Sequence, residues 1–239
     1  MGMGVERSSA VNPAKSSIYL LGIETSGGTC AAGLARDGQV IAEISANIKN
    51  IHSKMLAPFV DSLLKTAGLS ARDLSGVIIS AGPGSFTGLR IGYSVAKGLA
   101  HALNVPIVEV PTLDIWVFQA GWQPVPVLSV IDAHRGEIFC AVYQWKDHLP
   151  ARQTDYLLIS PEKLPEMLST DAIIVGASTK IKDLLTPHIP GNFRFQQPSP
   201  SAPRVWALLA LGSQKFAAAE FSDTADCEPF YMRAFKGVS

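Results

Sequence analysis

The sequence lacks several features by which common classes of protein are recognised. No apolar run approaches the roughly 20 residues that span a membrane, and the polar first 17 residues contain no secretory h-region with a cleavage site. Only three residues are cysteine, and they lie far apart. Neither a membrane anchor nor a disulfide framework is expected, and the composition favours a reducing, cytoplasmic location.

An excess of charge is missing as well. The 20 basic and 20 acidic residues give a formal net charge of zero, and no run of Lys or Arg occurs. Because phosphate neutralisation dominates nucleic-acid affinity, strong binding of nucleic acid by this chain alone is not expected. Hydrophobic residues make up 47% of the chain, which supplies a packed core and excludes general disorder.

Motifs for metals and proteases are also missing. His52 is followed at the third and fourth positions by Met55 and Leu56, so it has no partner on a helix with which to bind zinc. The sequence contains no HExxH motif and no GxSxG nucleophile elbow. His52 is therefore predicted to hold no metal, and a serine protease without that elbow is the protease class that stays open.

The sequence does contain a repeated alternation of strands and helices. Residues 18–46 predict three strands, the last two joined by a hairpin turn at Asp37-Gly38. Helical spacing over residues 53–67 precedes a buried strand, a glycine-rich turn, a second helix and the strand 105–110. This order indicates an α/β fold with some parallel pairing.

The pattern then begins again, which predicts a duplicated two-domain fold. Residues 125–145 and 154–160 predict another three-stranded unit, followed by a helical stretch over 161–169 and the strand 172–178. The expected organisation is a flexible extension (1–17), an N-terminal domain (18–109), a C-terminal domain (110–220) with a final helix over 204–219, and a tail (221–239) in which EPFYMRAF is ordered or docks.

The glycine-rich turn GPGSFTG, residues 82–88, is the first candidate site. Glycines before a helix let backbone N–H groups approach an anion closely, and the candidate nucleotide-binding residues are Gly82, Gly84, Ser85 and Thr87. However, no lysine follows Gly88, as a P-loop requires. The alternative, which we favour, is a tight strand-to-helix turn capped by Ser85 or Thr87.

Two other polar positions leave alternatives open. Glu24, at the end of the first strand, could reach a metal-bound water or could close a turn, and the second use is commoner. The segment DAHRGE, residues 132–137, could carry acid–base chemistry or could be a polar hairpin turn, and we favour the turn.

Taken together, LGIETSGGTCAAGL (21–34), AGPGSFTGLRIGYSVAKGLA (81–100) and IDAHRGEIFCAVY (131–143) resemble the TsaB family, also called YeaZ. The resemblance extends over roughly residues 18–236. It implies a duplicated actin-like fold of the sugar kinase and heat-shock ATPase type, related to ribonuclease H. It also implies a part in making threonylcarbamoyladenosine at position 37 of tRNAs.

The resemblance further implies that this chain is a partner and not the catalyst. The catalytic paralogue, TsaD, forms a heterodimer with it, and a small ATPase, TsaE, joins them. tRNA would be reached only through the complex, the free chain would form a homodimer, and no cofactor is expected on the chain alone, although ATP could act within the complex.

Aligned with the paralogue's two metal-binding histidines, this sequence has Thr112 and Trp116, neither of which suits a catalytic iron or zinc. The resemblance therefore implies a non-catalytic relative. Two alternatives stay open: an ATP-dependent phosphotransferase of the actin-like fold, for which Asp132 is the remaining carboxylate, and a protease of the glycoprotease type.

A partner surface is predicted on the first two helices. Gly88, Gly92, Ala96 and Ala100 recur every fourth residue and form one stripe of small residues on a helix. On the preceding helix, Met55 and Phe59 are left over once a core stripe has been assigned. We expect Met55 and Phe59 to be bare in the free chain, and both helices to meet the matching pair of the TsaD-type partner in a four-helix interface. The alternative is that these helices pack only on each other and on their own sheet.

Overall fold

A computed structural model describes residues 17–147, 149–167, 171–197 and 202–232. The predicted extension, apart from Ser17, and the end of the predicted tail lie outside the described residues. None of the described helices has the length and apolar character needed to cross a membrane. The strands are β1 (Tyr19–Glu24), β2 (Cys30–Arg36), β3 (Gln39–Ala46), β4 (Leu74–Gly82), β5 (Ile107–Pro111), β6 (Val127–Asp132), β7 (Ile138–Lys146), β8 (Leu149–Arg152), β9 (Leu157–Ile159), β10 (Ala172–Val175) and β11 (Phe193–Phe195). The helices are α1 (His52–Thr66), α2 (Phe86–Leu103), α3 (Thr112–Ala120), α4 (Leu164–Met167), α5 (Thr179–Leu185) and α6 (Val205–Ala217).

Two sheets share one topology. The first has the strand order β3-β2-β1-β4-β5, and the second has the order β11-β10-β6-β7-β8, with β9 also paired to β7. When β9 is left out and the strands are numbered within their own half, the second order is the first one read backwards. The strand directions agree too, because the opening hairpin of each half is antiparallel and the remaining pairs along β1-β4-β5 and β6-β10-β11 are parallel. The predicted duplicated α/β fold is confirmed.

Alternating side chains of β1 explain how the first sheet is covered on both faces. Leu21 and Ile23 pack in a core with residues of α1 and α2, whereas Leu20 packs on the other face with residues of α6. In the second half, one face of β6 packs with α5 and the other with α3. Helix α3 therefore lies between the two sheets.

The sequence did not predict α3, α5, β8 or β11. Helix α3 buries Ile115 against the first sheet and Leu113 and Trp116 against the second. A helix that is apolar on more than one side has no single hydrophobic stripe, which is the signal that sequence periodicity uses. The missed strands have only three or four residues each.

The predicted assignment of the last helix to the C-terminal domain (110–220) needs a correction. The last helix, α6, was assigned to the C-terminal domain, but it packs on the sheet of the N-terminal half. Val205 and Leu209 contact Gly22 and Gly33 on β1 and β2, and Phe216 contacts Gly76 of β4. The chain thus returns to its first sheet at the end, which no local pattern in α6 reveals.

Candidate functional site

A cleft of about 570 Å³ opens between the two halves. One wall is the glycine-rich turn with the first turn of α2, another is the β6–β7 hairpin, and a third is the end of the C-terminal segment, which we define as residues 221–232. The lining includes Gly84, Phe86, Arg90, Asp132, Arg135 and Phe230. Both predicted candidate turns therefore meet at one place.

The glycine-rich turn is packed directly on the turn that follows β1. The Ser85 amide donates to the carbonyl of Ser26 at 2.7 Å. A β-carbon at Gly84 or Gly88 would overlap the backbone carbonyl oxygen of Ser26 or Thr25. Close packing within the chain thus accounts for these two glycines without a phosphate.

The same turn has the predicted cap. The Ser85 hydroxyl accepts a hydrogen bond from the Gly88 amide at 3.2 Å, so Ser85 is the N-cap of α2, and Thr87 lies exposed within the helix. This agrees with the capped-turn interpretation. Nucleotide binding by Gly82, Gly84, Ser85 and Thr87 stays a prediction.

Glu24 is a fully buried carboxyl group at the end of β1. Its Oε1 accepts hydrogen bonds from the Ser26 amide at 2.7 Å and the Ser26 hydroxyl at 2.6 Å. Among the described residues, neither Oε2 nor the adjacent Ser80 hydroxyl has a well-formed hydrogen bond. Burial raises the pKa of Glu24 to about 7, and the hydrogen bonds of Ser26 offset only part of this rise. Glu24 closes its own turn, as the commoner alternative predicted.

The β6–β7 hairpin is a polar turn with an organised carboxylate. His134 and Arg135 adopt left-handed backbone conformations at the tip. Asp132 accepts hydrogen bonds from Lys180 at 2.7 Å and from the His134 amide at 2.7 Å. Partial burial acts to raise the pKa of Asp132, but these two donors outweigh it and hold that pKa below its usual value. An ionised, paired Asp132 agrees with the interpretation as a turn.

A partly buried carboxyl group that sequence reasoning missed lies on α3. Asp114 accepts hydrogen bonds from the hydroxyl groups of Tyr143 at 2.6 Å and Tyr156 at 2.9 Å. Burial raises the pKa of Asp114, although both hydroxyl groups act to lower it. The three residues lie up to 42 positions apart in the chain, and no sequence motif joins them.

The expectation that Phe59 is bare in the free chain is wrong. Its side chain is only 6% exposed and belongs to the core beneath α1, against which Met55 is partly buried. A Phe59→Asp variant would therefore test the core and not a surface. Phe59 lies on the same side of α1 as Leu56 and Leu63, and this side packs on the sheet.

The small-residue stripe of α2 is also turned inward. Gly88, Gly92, Ala96 and Ala100 are all buried, so the expectation that the stripe belongs to a partner interface is wrong, and the alternative of packing within the chain is right. A β-carbon at Gly92 would overlap the Thr25 hydroxyl. The stripe lets α2 approach its own sheet. Regular spacing identified the stripe, but spacing alone does not say which surface it meets.

The positions aligned with the paralogue's metal ligands are part of the core. Thr112 is 1% exposed and Trp116 is 6% exposed. The Trp116 ring packs against Gly176, close to the Val130 carbonyl. Within the described ranges, no group of three or more His, Cys, Asp or Glu residues is placed to hold a metal ion.

Comparison with known proteins identifies the family. A family model described as "TsaD: tRNA N6-adenosine threonylcarbamoyltransferase" matches residues 39–219. The "tRNA threonylcarbamoyladenosine biosynthesis protein TsaB" of Bacillus subtilis (strain 168) is 31% identical over 90% of this chain and 93% of that protein. The protein of the same name from Escherichia coli (strain K12) is 30% identical over 90% of this chain and 94% of that protein.

This chain belongs to the TsaB family. A solved structure, "YeaZ from Pseudomonas aeruginosa", matches with a TM-score of 0.78 at 25% identity and covers 90% of this chain and 100% of that one. The predicted family and its fold are thereby confirmed. The TsaB relatives match nearly end to end, and the TsaD family model matches most of the same chain. The two families therefore share an architecture.

Proposed function

We propose that this TsaB-family chain acts in tRNA threonylcarbamoyladenosine biosynthesis as a non-catalytic subunit that pairs with a TsaD-type paralogue. The observation that carries the proposal is the match over 90% of the chain to proteins named for this pathway. The burial of Thr112 and Trp116 in the core supports a role without metal chemistry. The match of the TsaD family model to residues 39–219 supports pairing with a chain of similar architecture.

Helix α2 supplies a specific argument for the pairing surface. Gly98 is exposed, and a β-carbon there would meet nothing within 4 Å, so packing within the chain does not require a glycine. A glycine inside a helix costs about 1 kcal/mol relative to alanine. Close approach of a partner helix gives a reason to keep it. The partly buried residues Val95 and Leu99 flank this position.

The proposed interface therefore consists of the outer surfaces of α1 and α2 around Gly98, and not of the inward stripe. Met55, on α1, is partly exposed and packs beside the same core, so we include it in the proposed interface. We further propose a homodimer through this surface when the partner is absent, a TsaE-type ATPase in the assembly, and contact with tRNA only through the complex. The buried, unpaired cysteines agree with a cytoplasmic location.

The Gly98→Arg variant tests the proposal. The added side chain would lie between the two chains, and we expect affinity for the TsaD-type paralogue of the same cell to fall at least tenfold, since hot-spot losses of about 2 kcal/mol are usual. The fold should survive, because the position is open and arginine favours a helix more than glycine does. Isothermal titration measures the affinity, and circular dichroism confirms folding.

The matched control is Asp183→Arg, which places arginine on an exposed position of α5 in the other half. It should bind the TsaD-type paralogue with the affinity of the wild type.

In cells depleted of this protein, the wild type and the control should restore the threonylcarbamoyl nucleoside in tRNA, whereas Gly98→Arg should restore less. A normal nucleoside level after full depletion would contradict the proposed function. Wild-type affinity of a folded Gly98→Arg would contradict only the proposed interface.

We also propose that the isolated chain binds ATP weakly or not at all, and that ATP acts within the assembled complex. The β1–β2 turn already receives the Ser85 amide, and no lysine follows Gly88 to contact phosphates. Calorimetry on the isolated chain should detect no binding at micromolar ATP. Submicromolar affinity would contradict this and would support a phosphotransferase instead.

A further inference from the structure

The C-terminal segment is fastened to the first half at several successive points. It begins beside β5, an edge strand of the first sheet, where the Ser222 amide donates to the carbonyl of Ile107 at 2.9 Å. Lys97, on α2, donates to the carbonyls of Ala225 at 2.9 Å and Cys227 at 3.1 Å. These bonds hold the segment along the edge of the first half.

The end of the segment reaches the cleft and is fastened there again. The Phe230 amide donates to the carbonyl of Ala81 at 2.7 Å. Arg90 donates from Nε to the Tyr231 hydroxyl at 3.1 Å, and its guanidinium lies 3.9 Å from the ring centroid of Phe86. The rings of Phe86 and Tyr231 are 5.4 Å apart. Charge, backbone and aromatic contacts thus fix this end to β4 and α2.

The Phe230 side chain of this segment contacts the second half. The ring of Phe230 meets the ring of Tyr156 edge-to-face at a centroid distance of 5.6 Å. Tyr156 is itself oriented by its hydrogen bond to Asp114 and by Arg152, whose guanidinium lies 4.1 Å from the Tyr156 ring centroid. An aromatic pair of this geometry contributes about 0.5–1.5 kcal/mol beyond its buried area.

The two attachments are unequal. The segment holds the first half through backbone bonds and two cationic side chains, whereas Phe230, which contacts Tyr156 of the second half, is 41% exposed. Helix α3 packs against both sheets. The segment and Tyr156 thus add a further connection between the halves, beside the cleft.

We propose that residues 221–232 form a strap that limits how far the cleft opens. The strap is fixed on the first half and retains the second half through the contact between Phe230 and Tyr156. Its release lets the second half move away about α3. This role is independent of the proposed function, and its test needs no partner.

The test measures the separation of the halves by pulsed electron paramagnetic resonance. Spin labels on Ser62→Cys in α1 and Asp183→Cys in α5 report the two halves from exposed positions. The three native cysteines are buried, and an unsubstituted chain gives the labelling background. Phe230→Ala should lengthen the mean distance by more than about 2 Å or broaden its distribution. Tyr156→Ala should have the same effect, and the double variant should add nothing.

Two conservative variants separate the strap from a general loss of structure. Tyr156→Phe removes the hydrogen bond to Asp114 but keeps the ring, which Arg152 still contacts, so it should keep the wild-type distance distribution. Glu228→Ala, at an exposed position of the same segment, should keep it too. In the unsubstituted protein, the peptide containing Phe230 should exchange its amide hydrogens at least tenfold more slowly than the same peptide when free. Free exchange of that peptide, or wild-type distances in folded Phe230→Ala, would overturn the proposal.

Discussion

Gly88→Ala is expected to lower the free energy of unfolding by about 1–3 kcal/mol, whereas Gly98→Ala on the same helix is expected to raise it by about 1 kcal/mol. Helix propensity does not disfavour alanine at either position, so the opposite signs come from what each β-carbon meets. At Gly88 it would overlap the carbonyl oxygen of Thr25, a backbone atom that cannot rotate away. At Gly98 it enters open space.

Urea denaturation of the three proteins measures this pair of effects, with near-ultraviolet circular dichroism as a check that each variant retains its tertiary packing. The midpoint should fall for Gly88→Ala and rise for Gly98→Ala. A rise at both positions would contradict the packing of the glycine-rich turn on the first hairpin. A fall at both positions would mean that the fold itself needs Gly98, and it would weaken the case that a partner helix explains this glycine.

The same helix shows how far the sequence predicts the site. The spacing of Gly88, Gly92, Ala96 and Ala100 correctly predicted one continuous small surface, because helical geometry fixes which residues share a side. Whether that surface faces the sheet or a partner depends on where α2 meets the end of β1. This contact involves Thr25, which is more than 60 residues away in the chain. Local periodicity does not contain this information.

Turn chemistry was predicted well because it is local. Ser85 caps α2 within three residues, Glu24 closes its turn within two, and Asp132 accepts from an amide two residues on. The interactions that join the halves are non-local. Tyr156 contacts Asp114 and Phe230, which are both far from it in the chain, so the sequence indicated a docking tail but not its partner.

Glu24→Gln is expected to stabilise the protein at pH 8 by about 3 kcal/mol and to have little effect near pH 4.5. Burial raises the pKa of Glu24 from 4.5 to about 7. A rise of this size corresponds to about 3 kcal/mol of penalty on the ionised form. The folded protein therefore holds this proton more tightly than the unfolded chain does between these two pH values.

The sign follows from the proton count. Below pH 4.5 the group is protonated in both states, and its ionisation costs the folded protein nothing. As the pH rises through 7, the stability associated with the protonated group is lost, and above 7 the full penalty remains. Glutamine keeps an oxygen to accept from the Ser26 amide, while its NH₂ can face the Ser80 hydroxyl, so the variant should fold at every pH.

Chemical denaturation from pH 4.5 to pH 8, on the wild type and Glu24→Gln side by side, separates this group from all the others. The difference between their unfolding free energies should grow with pH up to about 7 and then level off. Glu43→Gln on β3, an exposed position, is the control and should leave the pH dependence unchanged. A constant difference across the range would mean that Glu24 ionises as freely as an exposed carboxyl group. In that case water must reach the end of β1, and the turn that packs against α2 is more open than its hydrogen bonds indicate.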